Sequence, residues 1–263
     1  MAESKHLVDY TNFLGYPTFT GTVSSCVDQI VGTLGSGTES TYLCCLNPHS
    51  YSVARHDSLF EKSLKVSTWL VPDGIGVVLG IKFLGEKVAG RVTGSEIFAG
   101  VMKGLEERGG SAFFLGSTQS TIDAMVAKAN KDFPAVRLGG LSPPFKEQFS
   151  EDDNSSIIAV VNEFRPDVLW VGMTSPKQDK WIYSNRKHLN VRFCAGVGAV
   201  FDFYAGKVNR PSKSFRKLGL EWLPRLLREP SRLWKRTLVS GPIFVYAVMS
   251  YKVKQWIRKY FGF

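Results

Sequence analysis

Pro72-Asp73-Gly74 follows an apolar run, Lys65–Val71, that reads as a strand. In open α/β sheets ligands sit outside the carboxyl ends of the strands. A carboxylate held there against glycine and the sheet mouth can be desolvated enough to act as a base. The same three residues also describe a plain turn, in which the aspartate bonds its neighbouring backbone. Both readings stand on spacing alone. The other strand ends carry Asn47-Pro48-His49, Gly116-Ser117-Thr118, Gly139-Gly140, the run Gly172 to Gln178, and Gly196-Val197-Gly198 with Asp202 one helical turn on. Glycine and small polar residues ahead of a helix suit phosphate, because unbonded N–H groups and the helix dipole point at it. Singly each is weak, since tight strand-to-helix turns need glycine anyway. Neither G-x-G-x-x-G nor G-x-x-x-x-G-K-[ST] occurs, so a dinucleotide oxidoreductase or a P-loop enzyme lacks its fingerprint. His49 and His56 are seven apart with no third ligand nearby, and Asp152-Asp153 reads as a helix cap. No metal site and no cofactor are expected. Arg225, Arg228 and Arg232 recur at three and four, with Arg236 continuing the row. Such guanidiniums suit bidentate phosphate contact; a solvated cationic face or lipid headgroups would suit them as well.

The elements that must position these residues read as an alternation. Helices are expected over Thr22–Leu34, from Pro48, from the capping box Thr93-Gly94-Ser95-Glu96 to Arg108, and over Thr118–Asp132, Asp153–Phe164 and Pro176–Lys187. Strands are expected at Thr41–Leu46, Lys65–Val71, Ser111–Leu115, Ala135–Leu138, Asp167–Val171 and Val191–Ala195. Strands interleaved with helices imply an α/β fold: a Rossmann-like, mostly parallel sheet with helices on both faces. The chain has 263 residues, 44% of them apolar, which excludes a disordered chain or a disulfide-stapled miniprotein. Its four cysteines, Cys26, Cys44, Cys45 and Cys194, form no C-x-x-C and fit a reducing cytoplasm. Met1–Tyr10 is charged, so no signal peptide is expected.

The net charge of +10 is unevenly spread. Residues 207–263 hold fourteen Lys and Arg against Glu221 and Glu229, a net +12, while residues 1–206 carry −2. Two parts follow: a catalytic α/β body, 1–206, and a basic helical appendage, 207–263. A tail of this charge needs an anionic partner. Within it Leu218–Trp234 has a helical pattern that Pro224 should kink or split. Thr237–Tyr251 is fifteen uncharged residues interrupted by Gly241-Pro242, too short to span a bilayer, and Lys252–Tyr260 is basic with Trp256 and Tyr260. Apolar and aromatic residues flanked by Lys and Arg suit a helix lying in the headgroup layer. Docking on its own body or on another copy is the alternative, and the oligomeric state stays open.

Several of these runs occur together in one order: Pro72-Asp73-Gly74, Arg91-Val92-Thr93-Gly94, Pro176-Lys177-Gln178-Asp179, Gly196-Val197-Gly198 with Phe201-Asp202, and Glu221-Trp222-Leu223-Pro224-Arg225-Leu226 closing with Glu229-Pro230-Ser231-Arg232. Over about Thr41 to Arg236 this resembles the WecG/TagA/CpsF glycosyltransferases. The resemblance implies transfer of one sugar from a UDP-sugar to a polyprenyl-diphosphate-linked saccharide at the cytoplasmic face of the bacterial inner membrane. It implies inversion at the anomeric carbon, no metal, and a peripheral protein whose appendage touches the membrane. It makes Asp73 the general base, and it places Asn47, Arg91 and Gln178 around the nucleotide-sugar and Asp202 near the nucleotide. The appendage arginines, Arg225 and Arg232 among them, would meet the diphosphate.

Three positions depart from the family pattern. A threonine common two residues before the Asn is Cys45 here, so a hydroxyl contact to the sugar is lost or replaced. A Gly-Tyr-Phe turn is Pro143-Pro144-Phe145, and Arg-Ala-Pro is Arg210-Pro211-Ser212, which keeps the arginine. The first two departures favour a hexose such as glucose, as in exopolysaccharide members of the GumM type, over N-acetylmannosamine or its uronate. Two other classes compete: a soluble Rossmann-like enzyme using another nucleotide, and a nucleic-acid-binding protein using the tail. The second lacks any nucleic-acid motif around Trp222, Trp234 and Trp256, so no nucleic-acid partner is expected.

Overall fold

A computed structural model describes residues 9–35, 40–208, 215, 222–228 and 230–261. Its centre is a six-stranded sheet of β3 (Thr41–Leu46), β4 (Trp69–Pro72), β5 (Ser111–Gly116), β6 (Arg137–Leu141), β7 (Val168–Gly172) and β8 (Phe193–Gly196), in the order β4-β3-β8-β7-β5-β6. Every pairing is parallel. Strands buried on both faces read as continuous apolar runs, and β4, β5 and β8 are buried throughout.

One face packs under α2 (Pro48–Ala54), α3 (Ser58–Lys65), α7 (Glu151–Phe164) and α8 (Lys177–Asn185), around Phe60, Leu64, Val161 and Ile182. The other packs under α1 (Val23–Thr33), α5 (Gly94–Arg108), α6 (Gln119–Asp132) and α9 (Gly198–Tyr204), around Phe98, Phe114, Trp170 and Phe193. Two caps read from sequence form as expected: Thr22 Oγ1 accepts from Ser25 N–H, and Thr93 and Glu96 close a capping box. The cap read at Asp152-Asp153 is instead Ser150, with both aspartates inside the first turn of α7 and Asp153 closing the box.

The structure differs from the sequence reading in four further places. A hairpin, β1 (Tyr10–Phe13) and β2 (Tyr16–Phe19), precedes α1, turned by Leu14 and Gly15 with φ of 53° and 87°. The strand expected over Lys65–Val71 starts only at Trp69, because Asp57 Oδ1 caps α3 at Phe60 N–H (2.9 Å) and that helix runs through Lys65. A helix α4 (Ile75–Phe83) follows β4. The strand expected over Ala135–Leu138 is β6, displaced towards Gly139-Gly140 at the sheet edge.

Of the helix expected over Leu218–Trp234, α10 (Trp222–Arg228) and α11 (Pro230–Trp234) are helical, and Leu218–Glu221 and Glu229 lie outside the described residues. A π-helical turn, Lys235–Val239, leads into α12 (Ser240–Phe261), one 22-residue helix that takes Gly241-Pro242 into its first turn. Among the described residues no helix is long and apolar enough to cross a membrane.

α12 docks on the body. Phe244 and Val248 are buried, and Phe244 packs edge-on against Tyr51 and tilted against Phe13, with ring centroids 5.6 and 6.0 Å apart.

Candidate active site

The loops that follow the strands converge on one cavity of about 1090 Å³. That is at the upper end for small-molecule sites, which run roughly 300–1,000 Å³. It opens at the carboxyl ends of β3, β4, β5, β7 and β8, where an α/β sheet places its ligands.

Asp73 and Asn47 stand side by side at its mouth. Leu46 pairs with Pro72 across β3 and β4, so the next residue of each strand leaves the sheet together, and Asp73 N–H donates to Leu46 O at 2.9 Å. Gly74 then turns with φ +136°, a conformation closed to most L residues, and α4 begins directly after it. Asp73 is half-buried and lines the cavity. Asn47 has a second duty: its Oδ1 accepts from His49 and Ser50 N–H at 3.0 and 2.9 Å and caps α2, leaving its Nδ2 to offer a ligand.

Cys45, beside them, also lines the cavity. Burial pushes its thiol well up, the Asp73 and Asp179 carboxylates push it further, and only an N–H from Gly94 acts against them. The sulfur is therefore a neutral thiol seated at the start of α5. Thr93, Gly94 and Ser95 bring that helix N-terminus to the cavity wall. Arg91 is half-buried two residues ahead of Thr93 and is not among the lining residues.

Gln178 explains the Gly-x-Gly run. Its Oε1 accepts the Gly198 N–H at 3.1 Å. A Cβ on Gly196 would come within 2.7 Å of Gln178 Nε2, and one on Gly198 within 3.0 Å of Oε1. Both glycines are the bed for one buried glutamine, so this turn is built for side-chain packing as well as for a ligand's approach. Gly116, with φ +119°, abuts the carbonyl of Gly172, where a Cβ would fall 2.6 Å from the oxygen. Ser117 and Thr174, on the following loops, hold φ of 58° and 68°. For a β-branched threonine that is a genuine outlier, and such strain gathers at functional sites.

Two lining groups had no role from sequence. Asp179 is 3% exposed, and its Oδ2 has no hydrogen-bond partner. Burial raises its pKa to about 6 against hydrogen bonds from Ser175, Cys44 and its own N–H. Its place at the end of the run Pro176-Lys177-Gln178-Asp179 was the signal for it. Arg236, from the π-helical turn, brings a guanidinium from the appendage to the cavity wall. The arginine row pointed towards it. His49 donates to or accepts from Ser240 Oγ at 2.9 Å, and burial and Arg236 together lower its pKa to about 4.

Asp202 lines the far side of the cavity on α9. Lys207 beside it reaches Ser120 Oγ (2.8 Å) and Thr118 Oγ1 (3.3 Å) at the start of α6. Phe145, at the departing Pro-Pro-Phe turn, is fully exposed at the rim. Arg210 lies outside the described residues, and so do the side chains of Arg225 and Arg232, whose backbones belong to α10 and α11. Among the described residues no three His, Cys, Asp or Glu side chains gather as a metal-ligand set.

The family model for the glycosyl transferase WecG/TagA/CpsF family matches residues 11–258, nearly the whole chain and all of this cavity. The chain belongs to that family. It is a glycosyltransferase with a parallel sheet covered by helices on both faces. A relative from Bacillus spizizenii is 26% identical over 230 residues, 88% of this chain and 87% of the relative. One from Staphylococcus aureus is 27% identical over 224 residues, 84% of each. Both are named N-acetylglucosaminyldiphosphoundecaprenol N-acetyl-beta-D-mannosaminyltransferase.

Proposed function

We propose that the chain transfers one hexose-type sugar, from the glucose, N-acetylmannosamine and N-acetylmannosaminuronate group, from a UDP-sugar to a polyprenyl-diphosphate-linked saccharide. The transfer inverts the anomeric carbon and uses no metal, and the enzyme works as a peripheral protein on the cytoplasmic face of the bacterial inner membrane. What carries the reading is the pairing of Asp73 with Asn47 at the mouth of the shared cavity, in a chain of this family. The relatives' names supply the acceptor class, a sugar on a polyprenyl diphosphate, and favour an N-acetylmannosaminyl donor among the three.

An inverting transfer needs a base on the acceptor hydroxyl while UDP leaves from the opposite face. Asp73 is the acid at that mouth. UDP departs with growing negative charge, which cationic side chains and helix N-termini can stabilise. The α5 N-terminus and Arg236 line the cavity, and Arg210, Arg225 and Arg232 are the further cations for that role. Asn47 through Nδ2, Gln178 and Cys45 are assigned to the donor and Asp202 to the nucleotide side, while Arg91, which does not line the cavity, is assigned no direct contact with the donor.

The test is UDP release from a panel of UDP-sugars with a polyprenyl-diphosphate monosaccharide acceptor, in detergent with EDTA. A general base contributes roughly 10²–10⁴-fold. Asp73→Asn is therefore expected to lose turnover by that order while UDP still binds by calorimetry. Near-normal turnover in the variant, or release abolished by EDTA in the wild type, overturns the assignment.

A further inference from the structure

α4 belongs to the catalytic body, yet its sequence, Ile-Gly-Val-Val-Leu-Gly-Ile-Lys-Phe, leaves one apolar face uncovered. Leu79 is 58% and Phe83 47% exposed, with Lys82 exposed between them. The opposite side, Val77, Val78 and Ile81, is in the core.

The flank between these faces is a seam that meets Pro48, Phe13 and α12. A Cβ on Gly76 would first meet Pro48 at 3.1 Å and then Phe244 at 3.9 Å, and one on Gly80 would first meet Phe13 at 2.9 Å and then Val248 at 3.4 Å. One turn further, Lys252 Nζ reaches Leu84 O at 3.3 Å and lies 5.9 Å from the centre of the Phe83 ring. Residue numbers rise together along the seam, so the two helices run parallel. Phe13 and Pro48 pack into the two glycine positions, and α12, seated mainly on α2, meets α4 through Phe244, Val248 and Lys252.

Helical geometry then fixes where the exposed faces point. On α4, positions 79 and 83 come three residues after the seam positions 76 and 80, about 60° round the helix in one sense. On α12, positions 245, 249 and 253 come one residue after 244, 248 and 252, about 100° round in the other sense. In parallel neighbours these two rotations face the same side. Val245, Met249, Val253, Trp256 and Tyr260 are all exposed there, so the apolar strips of α4 and α12 form one surface. Its charges are Lys82 on α4 and Lys252, Lys254, Arg258 and Lys259 on α12, and neither helix contains an acid. Trp256 and Tyr260 pack together at 5.3 Å near its end, the amphipathic ring types that favour a lipid–water boundary.

We infer that α4 and α12 together form the membrane-docking face, with Leu79 and Phe83 of the catalytic body entering the headgroup layer beside the appendage helix. The occupant is an anionic phospholipid surface: apolar side chains rimmed by uncompensated Lys and Arg match acyl chains beneath acidic headgroups, whereas a second copy would bring the same positive charges against each other. This rests on the membrane reading above and extends it from the appendage to the body. It also fixes the orientation of the enzyme, because a face shared by two elements has one plane while a single helix can roll.

The experiment is co-sedimentation of the full chain with vesicles of phosphatidylglycerol and phosphatidylethanolamine, comparing wild type, Leu79→Ser/Phe83→Ser, and Val253→Ser/Trp256→Ser. All four positions are exposed, and melting temperature and UDP binding serve as controls for folding. The α4 variant is expected to lose at least tenfold in vesicle partition with both controls unchanged, and the wild type to lose binding on neutral phosphatidylcholine. If the α12 variant loses binding while the α4 variant keeps it, the shared face is wrong and the appendage alone binds. If the wild type does not sediment with any vesicle, the membrane reading fails with it. A change in sedimentation coefficient in the α4 variant, with partition unchanged, would instead make this face a contact between copies and overturn the proposal.

Discussion

The Asp179 carboxyl is placed where the fold works against its charge. It sits in the first turn of α8 beside Ser175 and Cys44, shut from water, with Oδ2 unbonded. Its pKa stands at about 6 against an ordinary 3.8, with burial as the largest cause. For an acid whose pKa is raised by folding, the native state binds more protons than the unfolded state between those two values. The contribution of Asp179 to stability is therefore highest below about pH 4, falls as the pH rises towards 6, and stays lower above it. The cost at neutral pH is on the order of 3 kcal/mol. Asp179→Asn, which keeps an acceptor for Ser175 and removes the charge, is expected to be more stable than wild type at pH 7.5 and less different from it at pH 4. Urea midpoints across that range check this; parallel curves for the two proteins would show that the carboxyl does not carry the cost.

Elements that announce themselves do so through caps and period. α5 was legible because Thr93 and Glu96 stand three apart ahead of an apolar stripe, and β5 and β7 because strands buried on both faces are unbroken apolar runs. α4 was not, since it is apolar on nearly every side, starts on Gly74 with no side-chain cap, and carries Gly76 and Gly80, which sequence counts against a helix. Only the tertiary neighbours explain those glycines: Pro48 stands against Gly76 and Phe13 against Gly80, with α12 just beyond. The hairpin was missed because four-residue strands give no period to count. At the site, the strand ends led to Asp73, Asn47, Gln178 and Asp202, all of which line one cavity, whereas the meaning of Gly196 and Gly198 depends on where Gln178 lies. The same dependence gives a prediction for β5. Gly116 needs both its φ of +119° and the space beside the Gly172 carbonyl, and backbone at 2.6 Å has no rotamer through which to yield. Gly116→Ala should cost about 2–4 kcal/mol, combining left-handed strain with a steric clash. Gly32→Ala, in a helix with nothing within 4 Å, should be neutral or stabilising. Equal midpoints in guanidinium for the two variants would refute the distinction.

Across the whole molecule, a near-neutral α/β body carries a +12 tail whose last helix is fixed to it at one end and exposed along the other. The proposed division at residue 206 is thus one of chemistry more than of packing, because Phe244 and Val248 of the tail belong to the same core as Phe60 and Ile182. That docking has a proton-sensitive latch. His49 meets Ser240 at the start of α12 while Arg236 stands near enough to repel a protonated ring. Docking therefore holds the imidazole neutral, with its pKa lowered from 6.5 to about 4, burial being the larger cause. A histidine whose pKa falls on docking stabilises the docked state fully above its free pKa and loses that contribution as the pH drops from 6.5 towards 4. Hydrogen exchange at the α12 amides should accordingly quicken between pH 7 and 5, once corrected for the intrinsic rate, before the sheet strands lose protection. His49→Gln, which can still bond Ser240 but does not titrate, should remove that dependence. Because Asp179 shifts global stability the opposite way over the same range, loosening confined to α12 at acid pH separates the latch from general unfolding. Exchange that rises equally in β5 and α12 would show that the helix is not released on its own. If it is released, Arg236 leaves the cavity wall with it.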